Sequence, residues 1–282
     1  MSVLVAEQRQ DLEQSSWQSR LDMAELCSVP ETLIEMSKDR SVRVRRAVVY
    51  NLSTPPECLD GLARDKNEDV RAAVARWLDA PSECFTALSQ DESWNVRHNL
   101  AINRSTPSEC LDRLARDRFG LMRSDVARNP NTSGECLARL AEDEEQIVRV
   151  AVAGNPNTPS EALAKLAFDA DDHIRCLAVG NHSTPVELVV AFANDESAEM
   201  RSAVSYNWLT PVGCLATLAQ DSEWEVRLGV AYNPNASWEV LRDLTEDADW
   251  SVRLIAAEAL GFSFEEWEGL AVADAGSIDL GM

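Results

Sequence analysis

Apolar residues recur at helical spacing in short blocks that are separated by polar turns. Val96 and Leu100 share one face of a predicted helix, and Cys110, Leu111 and Leu114 share one face of the next. The residue before a proline avoids the helical region, so the pair Asn129-Pro130 and its counterparts should end the helices equivalent to the one with Val96 and Leu100. We call these the second helices, and those equivalent to the helix with Cys110 the first helices. The pattern predicts an all-α chain whose repeating unit holds two short helices, or one helix and a tighter helical turn.

The blocks repeat every 26 residues, and each repeat places an aspartate six residues before an arginine. A fixed period of this length indicates a solenoid, in which each repeat packs only on its neighbours. The pattern occurs nine times, at Asp39/Arg45, Asp65/Arg71, Asp91/Arg97, Asp117/Arg123, Asp143/Arg149, Asp169/Arg175, Asp195/Arg201, Asp221/Arg227 and Asp247/Arg253.

Each repeat also carries a signal for the start of a helix. In Thr158-Pro159 the threonine hydroxyl is expected to cap free backbone amides, and proline is tolerated in the first turn. Glu109 and its counterparts lie in the first turn, near the positive end of the helix dipole.

The repeats predict three segments along the chain. Residues 1–28 form an N-terminal capping half-unit, because the sequence from Arg20 to Pro30 resembles that from Arg97 to Pro107. Residues 29–262 hold the nine repeats, and residues 263–282 form a C-terminal capping helix and a short tail. Incomplete end units are expected because a solenoid must cover its exposed ends.

The formal charge of -22 is concentrated in the second half of the chain. Residues 1–128 carry 18 Lys+Arg against 21 Asp+Glu, whereas residues 129–282 carry 8 against 27. Such a field would attract basic partners and repel phosphate backbones; the alternative is that it only keeps a long surface soluble. No apolar run is long enough to span a membrane, and the N-terminus lacks a positively charged stretch followed by an apolar one, so we expect a cytoplasmic protein.

The threonine–proline pairs, the asparagine–proline pairs and the Val-Arg-x-x-Val-Ala segments, as at Val148-Arg149, resemble leucine-rich repeat variant repeats. The resemblance covers residues 29–262 and implies a right-handed solenoid of alternating short helices, similar to HEAT-like repeats. Some members of that family carry a cysteine-rich iron–sulfur module before the repeats. Only Cys27 lies there in this chain, so we expect no such cofactor.

Three sets of recurring residues are interpreted as structural. Cysteines recur at a position that holds Ala162 and Leu188 in other repeats, which indicates core packing. The aspartates should cap the second helix or pair with an arginine of the same or the next repeat. Asparagines should satisfy backbone groups at the turns; they are Asn51, Asn103, Asn129, Asn155, Asn181, Asn207 and Asn233.

Positions that vary between repeats are the candidates for partner binding. One set combines aromatic and acidic residues after the recurring aspartate, which suits a basic, partly apolar protein segment: Trp94, Trp224 and Trp250 with Glu223, Glu225 and Asp249. A second set lies on the second helix: Tyr50, Tyr206, Tyr232 and Arg128, with Arg46, Arg76 and His98. The alternatives are that the tryptophans cover seams between repeats and that the second set is ordinary surface.

These positions predict a non-enzymatic protein–protein interaction scaffold. The alternative is a nucleic-acid-associated HEAT-like protein that uses Arg113, Arg116, Arg118 and Arg128, although even residues 1–128 have a net negative charge. An enzyme would need converging titratable groups, and the three histidines occupy three different repeat positions.

Overall fold

The computed structural model describes residues 15–262, and this part of the chain contains nineteen α-helices, one 3₁₀ helix and no strand. Each repeat holds two α-helices. The first helix of a repeat has six or seven residues: α2 Pro30–Met36, α4 Pro56–Leu62, α6 Ser82–Leu88, α8 Ser108–Leu114, α10 Gly134–Leu140, α12 Ser160–Leu166, α14 Val186–Ala191, α16 Val212–Leu218 and α18 Trp238–Leu244. The second helix has eight to ten: α1 Trp17–Leu26, α3 Val42–Tyr50, α5 Glu68–Arg76, α7 Trp94–Ile102, α9 Gly120–Arg128, α11 Gln146–Ala153, α13 Asp172–Gly180, α15 Ala198–Tyr206, α17 Trp224–Tyr232 and α19 Trp250–Ala259. The predicted all-α helical-repeat fold is confirmed. The proposed C-terminal capping helix lies outside the described residues.

The chain divides into two compact units, residues 1–157 and residues 158–282. Within each unit the second helices of successive repeats pack against each other, as α5 does on α7 in the first unit and α15 on α17 in the second. This packing follows from the sequence, because each second helix buries apolar residues such as Val96 and Leu100 towards its neighbours.

Threonine before proline has a different role from the predicted one. The hydroxyl of Thr106 donates a hydrogen bond of 2.6 Å to the carbonyl oxygen of Leu100, at the end of the preceding second helix. Thr132 makes the equivalent bond to Val126, and Pro107 itself is the N-cap residue of α8. The capping prediction was wrong. The last carbonyl groups of the second helix lack hydrogen-bond donors within their own helix, and the threonine hydroxyl donates to one of them instead of capping the next helix. Serine caps the first helix where it replaces this proline, as Ser133 does by accepting a bond from the amide of Cys136.

Asparagines join the ends of most second helices to the repeat before them. The side-chain amide of Asn129 donates to the carbonyl oxygens of Ala101 and Asn103, at 2.7 and 2.9 Å. Its own oxygen accepts the backbone amide of Asn131, which shapes the following turn. The predicted asparagine ladder is present in both units, since Asn233 makes the same pair of bonds to Ser205 and Asn207.

The recurring cysteines lie on the inner side of the first helices. Cys58, Cys84, Cys110 and Cys136 are buried, and Cys214 is half-buried. All are free thiols. Burial raises the pKa of the Cys84 thiol to about 11. Burial, together with a hydrogen bond to Asp112, raises that of Cys136 to about 12. Core packing is therefore confirmed for the four buried cysteines.

These thiols should resist alkylation in the folded protein. Because the thiolate is the reactive form, we expect iodoacetamide at about pH 8 to leave Cys84 and Cys136 unmodified while it labels the more accessible Cys27 and Cys214. Peptide mass spectrometry of native and urea-unfolded samples measures this difference. Equal labelling of all the cysteines under native conditions would contradict the packing.

One repeat in the second unit departs from the pattern. Its first helix, α14, ends at Ala191 and continues as a 3₁₀ helix, Phe192–Asn194. Phe192 occupies the position at which neighbouring repeats bury Leu166 and Leu218, and it is only half-buried. Its ring lies 5.6 Å from that of the exposed Phe168.

Candidate interaction surfaces

The recurring aspartate and arginine form ion pairs between successive repeats. In the first unit the nitrogen–oxygen distances are 2.6 to 2.8 Å, for Arg20–Asp39, Arg45–Asp65, Arg71–Asp91, Arg97–Asp117 and Arg123–Asp143. The second unit contains Arg201–Asp221 and Arg227–Asp247, each at 2.6 Å. The arginine belongs to the preceding repeat and not, as expected, to the same or the next one, and α1 supplies Arg20 for the first of these pairs. We call each of these interactions a rung.

The rung between Arg45 and Asp65 uses the whole guanidinium group. Arg45 donates Nε and Nη2 to the two carboxylate oxygens of Asp65, at 2.6 and 2.9 Å, and Nη1 to the backbone oxygen of Asp39. Asp65 also accepts the backbone amide of Asn67, the N-cap residue of α5. The bond from Nη1 to the aspartate carbonyl six residues earlier also occurs at Arg149, Arg175 and Arg253.

Rung arginines lower the pKa of the aspartates Asp65 and Asp221. Burial alone would raise the pKa of Asp65, but the hydrogen bonds from Arg45 and from the amide of Asn67 outweigh it and hold that pKa below its usual range. In the second unit, the hydrogen bond from Arg201 is the main cause of the lowered pKa of Asp221. The arrangement satisfies both charges within the protein and leaves them unavailable to a ligand.

One rung is absent within the second unit. Arg175 pairs instead with Asp172 of its own helix, at 2.5 Å, and among residues 15–262 the Asp195 carboxylate accepts a hydrogen bond only from the backbone amide of Ser197. The break falls in the repeat whose first helix changes to a 3₁₀ helix, just before Asp195.

The three candidate tryptophans differ in their surroundings. Trp94 is half-buried and stacks on His98, with 4.6 Å between ring centroids. Trp224 and Trp250 are 40% and 62% exposed. Glu223 and Glu225 are exposed on either side of Trp224, whereas Asp249 is half-buried and caps α19 through the amide of Ser251. Trp224 and Trp250 are therefore accessible to a partner, whereas the His98 ring covers part of Trp94.

The candidate tyrosines are exposed on the second helices. Tyr206 and Tyr232 stack on each other at 6.0 Å. Gly229 permits this close approach of α15 and α17, since a Cβ there would lie 1.9 Å from the Ser205 hydroxyl and 2.9 Å from the Tyr206 ring. Tyr50 lies in the first unit, where its ring meets Trp77 edge-on at 6.4 Å.

The second unit contains an acidic cleft between α16 and α18. Its volume is about 650 Å³, and its lining includes Gln220, Ser222, Asp243 and Glu246. Asp243 pairs with Arg242 at 2.7 Å, and both side chains are more than half exposed. The cleft was not predictable from the sequence, although Asp243 and Glu246 are part of the acidic excess in residues 129–282.

The arginines proposed for nucleic acid lie on separate elements. Arg113 is in the last turn of α8, Arg116 and Arg118 follow that helix, and Arg128 ends α9. Arg128 contacts the Ser124 hydroxyl and lies 4.0 Å from Asp125, and Arg118 covers the ring of Phe119.

The histidines are not gathered into a metal site. Across residues 15–262, no three or more His, Cys, Asp or Glu side chains are placed to hold a metal ion. His98 bonds to Asp125 at 2.8 Å, and His182 stacks on Trp208 at 4.5 Å. No helix in this same part of the chain is both long enough and apolar enough to cross a membrane.

Residues 148–171 match the family model described as leucine rich repeat variant. A solved structure described as a leucine-rich repeat variant with a novel repetitive structural motif is 25% identical, with a TM-score of 0.54, over 88% of this chain and 97% of that chain. An engineered protein is 17% identical with a TM-score of 0.38, over 95% and 99% of the two chains. Computationally designed armadillo repeat proteins for modular peptide recognition are 15% identical with a TM-score of 0.18, over 89% and 96%. Among curated proteins there is no match.

The helices, the rungs and the similarity to a solved repeat structure together define a helical-repeat protein. Residues 148–171 match the leucine rich repeat variant model, and a solved structure of that type is similar over most of the chain, in agreement with the resemblance seen in the sequence. A fold of this class is consistent with a scaffold for protein interactions.

Proposed function

We propose that this protein is a non-enzymatic interaction scaffold whose second unit binds a basic, partly apolar protein segment. The observation that carries the proposal is the charge of that unit's surface. Residues 158–262 contain 17 Asp+Glu against 6 Lys+Arg, and Arg175, Arg201, Arg227 and Arg242 already form ion pairs. The excess carboxylates on this surface attract a cationic partner.

The acidic cleft provides a place for a basic side chain. In the described part of the chain no ion pair or side-chain hydrogen bond is recorded for Glu246, and the neighbouring Asp243 is held only by an exposed arginine. A lysine that entered the cleft would meet both carboxylates. Exposed ion pairs contribute little to stability, so the incoming cation competes with Arg242 at small cost.

Trp224 and Trp250 supply the apolar part of the proposed surface. They begin α17 and α19, and each lies two residues along the chain from a residue that lines the cleft, Ser222 and Ala248 respectively. Exposed tryptophans are frequent anchors at interfaces because one side chain buries a large area. Charge would set the rate of encounter, and the tryptophans would set the lifetime of the complex.

Fluorescence anisotropy with the purified full chain tests the proposal. The probe is a fluorescein-labelled octapeptide with four lysines and two leucines. We expect binding that weakens as salt rises, because exposed charges are screened within about 10 Å at 0.1 M salt. The double variant W224A/W250A should weaken it at least about tenfold, and E246Q should weaken it less.

Trp208 offers the matched control, since it is 58% exposed in the same unit but lies in the turn after α15, stacked on His182. W208A should bind the probe like the unaltered protein. The proposal fails if the lysine peptide does not bind, or if W208A and W224A/W250A lose affinity equally.

A further inference from the structure

A groove in the first unit has the opposite chemistry to the acidic cleft. It lies on the second helices α3, α5 and α7 and has a volume of about 360 Å³. Ala72 on α5 stands between Arg46 on α3 and His98 on α7, at the same position of three successive repeats. The small side chain between two large ones leaves the depression.

Two arginines without ionic partners line this groove. Arg46 and Arg76 are exposed, and within residues 15–262 neither is recorded in a side-chain hydrogen bond or an ion pair. Their neighbours Arg45 and Arg71 are fully used in the rungs. A planar guanidinium group presents donors that match the two oxygens of a carboxylate.

The remaining lining is aromatic and apolar, and part of it is held in place. Tyr50 is 48% exposed and is supported by Trp77. Trp77 stands where the neighbouring repeats have Asn51 and Asn103, so this repeat lacks the ladder amide at the edge of the groove. His98 is fixed from two sides, by Asp125 and by the ring of Trp94. Departures from a local rule tend to mark functional positions.

We propose that this groove binds an acidic segment of a partner protein. A glutamate or aspartate side chain interacts with the guanidinium groups of Arg46 and Arg76, and the adjoining residues of the segment pack on Tyr50 and Ile102. A volume of 360 Å³ lies near the lower end for ligand pockets, which suits one side chain and its immediate neighbours.

The charges around the groove favour a protein segment over nucleic acid. Asp69 also lines it, and Asp125 lies behind His98. A phosphate backbone needs a continuous basic surface, whereas a single carboxylate needs only the two arginines. The inference is independent of the function proposed for the second unit, because it concerns other residues and a ligand of opposite charge.

Anisotropy titration of the full chain tests the groove, with a fluorescein-labelled octapeptide of alternating glutamate and alanine as the probe. About 0.15 M salt limits repulsion from the net negative charge of the protein, since the screening length is then about 8 Å. We expect this peptide to bind and a glutamine–alanine peptide not to bind. The variant R46Q/R76Q should lose at least about tenfold in affinity.

R104Q is the matched control, because Arg104 is exposed in the same unit but follows α7 and does not line the groove. It should leave binding unchanged, and both variants should unfold at the temperature of the unaltered protein. The inference is overturned if the glutamate peptide does not bind, or if R46Q/R76Q binds it as well as R104Q does. Tighter binding of a phosphoserine peptide or of single-stranded DNA would assign the groove to phosphate and would also overturn it.

Discussion

Replacement of Arg71 by methionine should lower the free energy of unfolding by about 3–5 kcal/mol. The side chains of Arg71 and Asp91 are only 11% and 8% exposed, and they form a bidentate ion pair at 2.6 and 2.9 Å. Methionine retains much of the volume but leaves the Asp91 carboxylate without its cation. Urea unfolding followed by circular dichroism measures the loss.

The missing rung in the second unit supplies the control for this experiment. Arg175 makes the same bond to the backbone oxygen of Asp169, but its ionic partner Asp172 is 78% exposed. R175M should therefore cost about 1 kcal/mol or less. Similar losses for R71M and R175M would mean that the carboxylate pairing across repeats adds no stability.

Replacement of Asn129 by alanine should cost about 3 kcal/mol, because it leaves the buried carbonyl oxygen of Ala101 without a hydrogen-bond donor and removes one of the two donors to that of Asn103. Asn129 is 3% exposed, and its amide bonds to Ala101 and Asn103. The substitution also removes the acceptor for the amide of Asn131. The same unfolding experiment measures the effect.

Asn131 provides an internal comparison at the same turn. Its amide donates to the carbonyl oxygen of Arg104 at 2.6 Å, but the side chain is exposed, so water replaces it when it is removed. N131A should cost less than about 1 kcal/mol. If N129A and N131A were equally destabilising, burial could not be the reason for the asparagine ladder.

The regular parts of the fold were predictable because one physical solution is repeated. The 26-residue period predicted the helices. The recurring asparagine, with or without a proline after it, predicted where the second helices end. The direction of the rungs was not predictable, since the spacing of Asp65 and Arg71 allows pairing in either direction along the stack. The absence of a rung between Arg175 and Asp195 was not predictable either, because both residues are present. Only the change at Phe192 distinguishes this repeat.

The candidate surfaces were only partly visible in the sequence. Comparison of equivalent positions identified Tyr50, Arg46, Arg76 and His98 as variable residues of the second helix, and all four line one groove. The sequence did not show that Ala72 makes the depression, since this depends on the packing of α5 between α3 and α7. It also did not distinguish Trp94 from Trp224 and Trp250, because the stacking of Trp94 on His98 arises only in the helix.

The absent rung also predicts where this protein opens first. In a stack of repeats no distant part of the molecule compensates for a weak interface, so we expect local unfolding to begin where an ion pair between neighbours is missing. Arg175 does not pair with Asp195. The residues just before Asp195 form a 3₁₀ helix, in which Phe192 is only half-buried. The segment from α14 to Asp195 can therefore release its backbone amides to solvent while the rungs at Asp221 and Asp247 hold the repeats that follow.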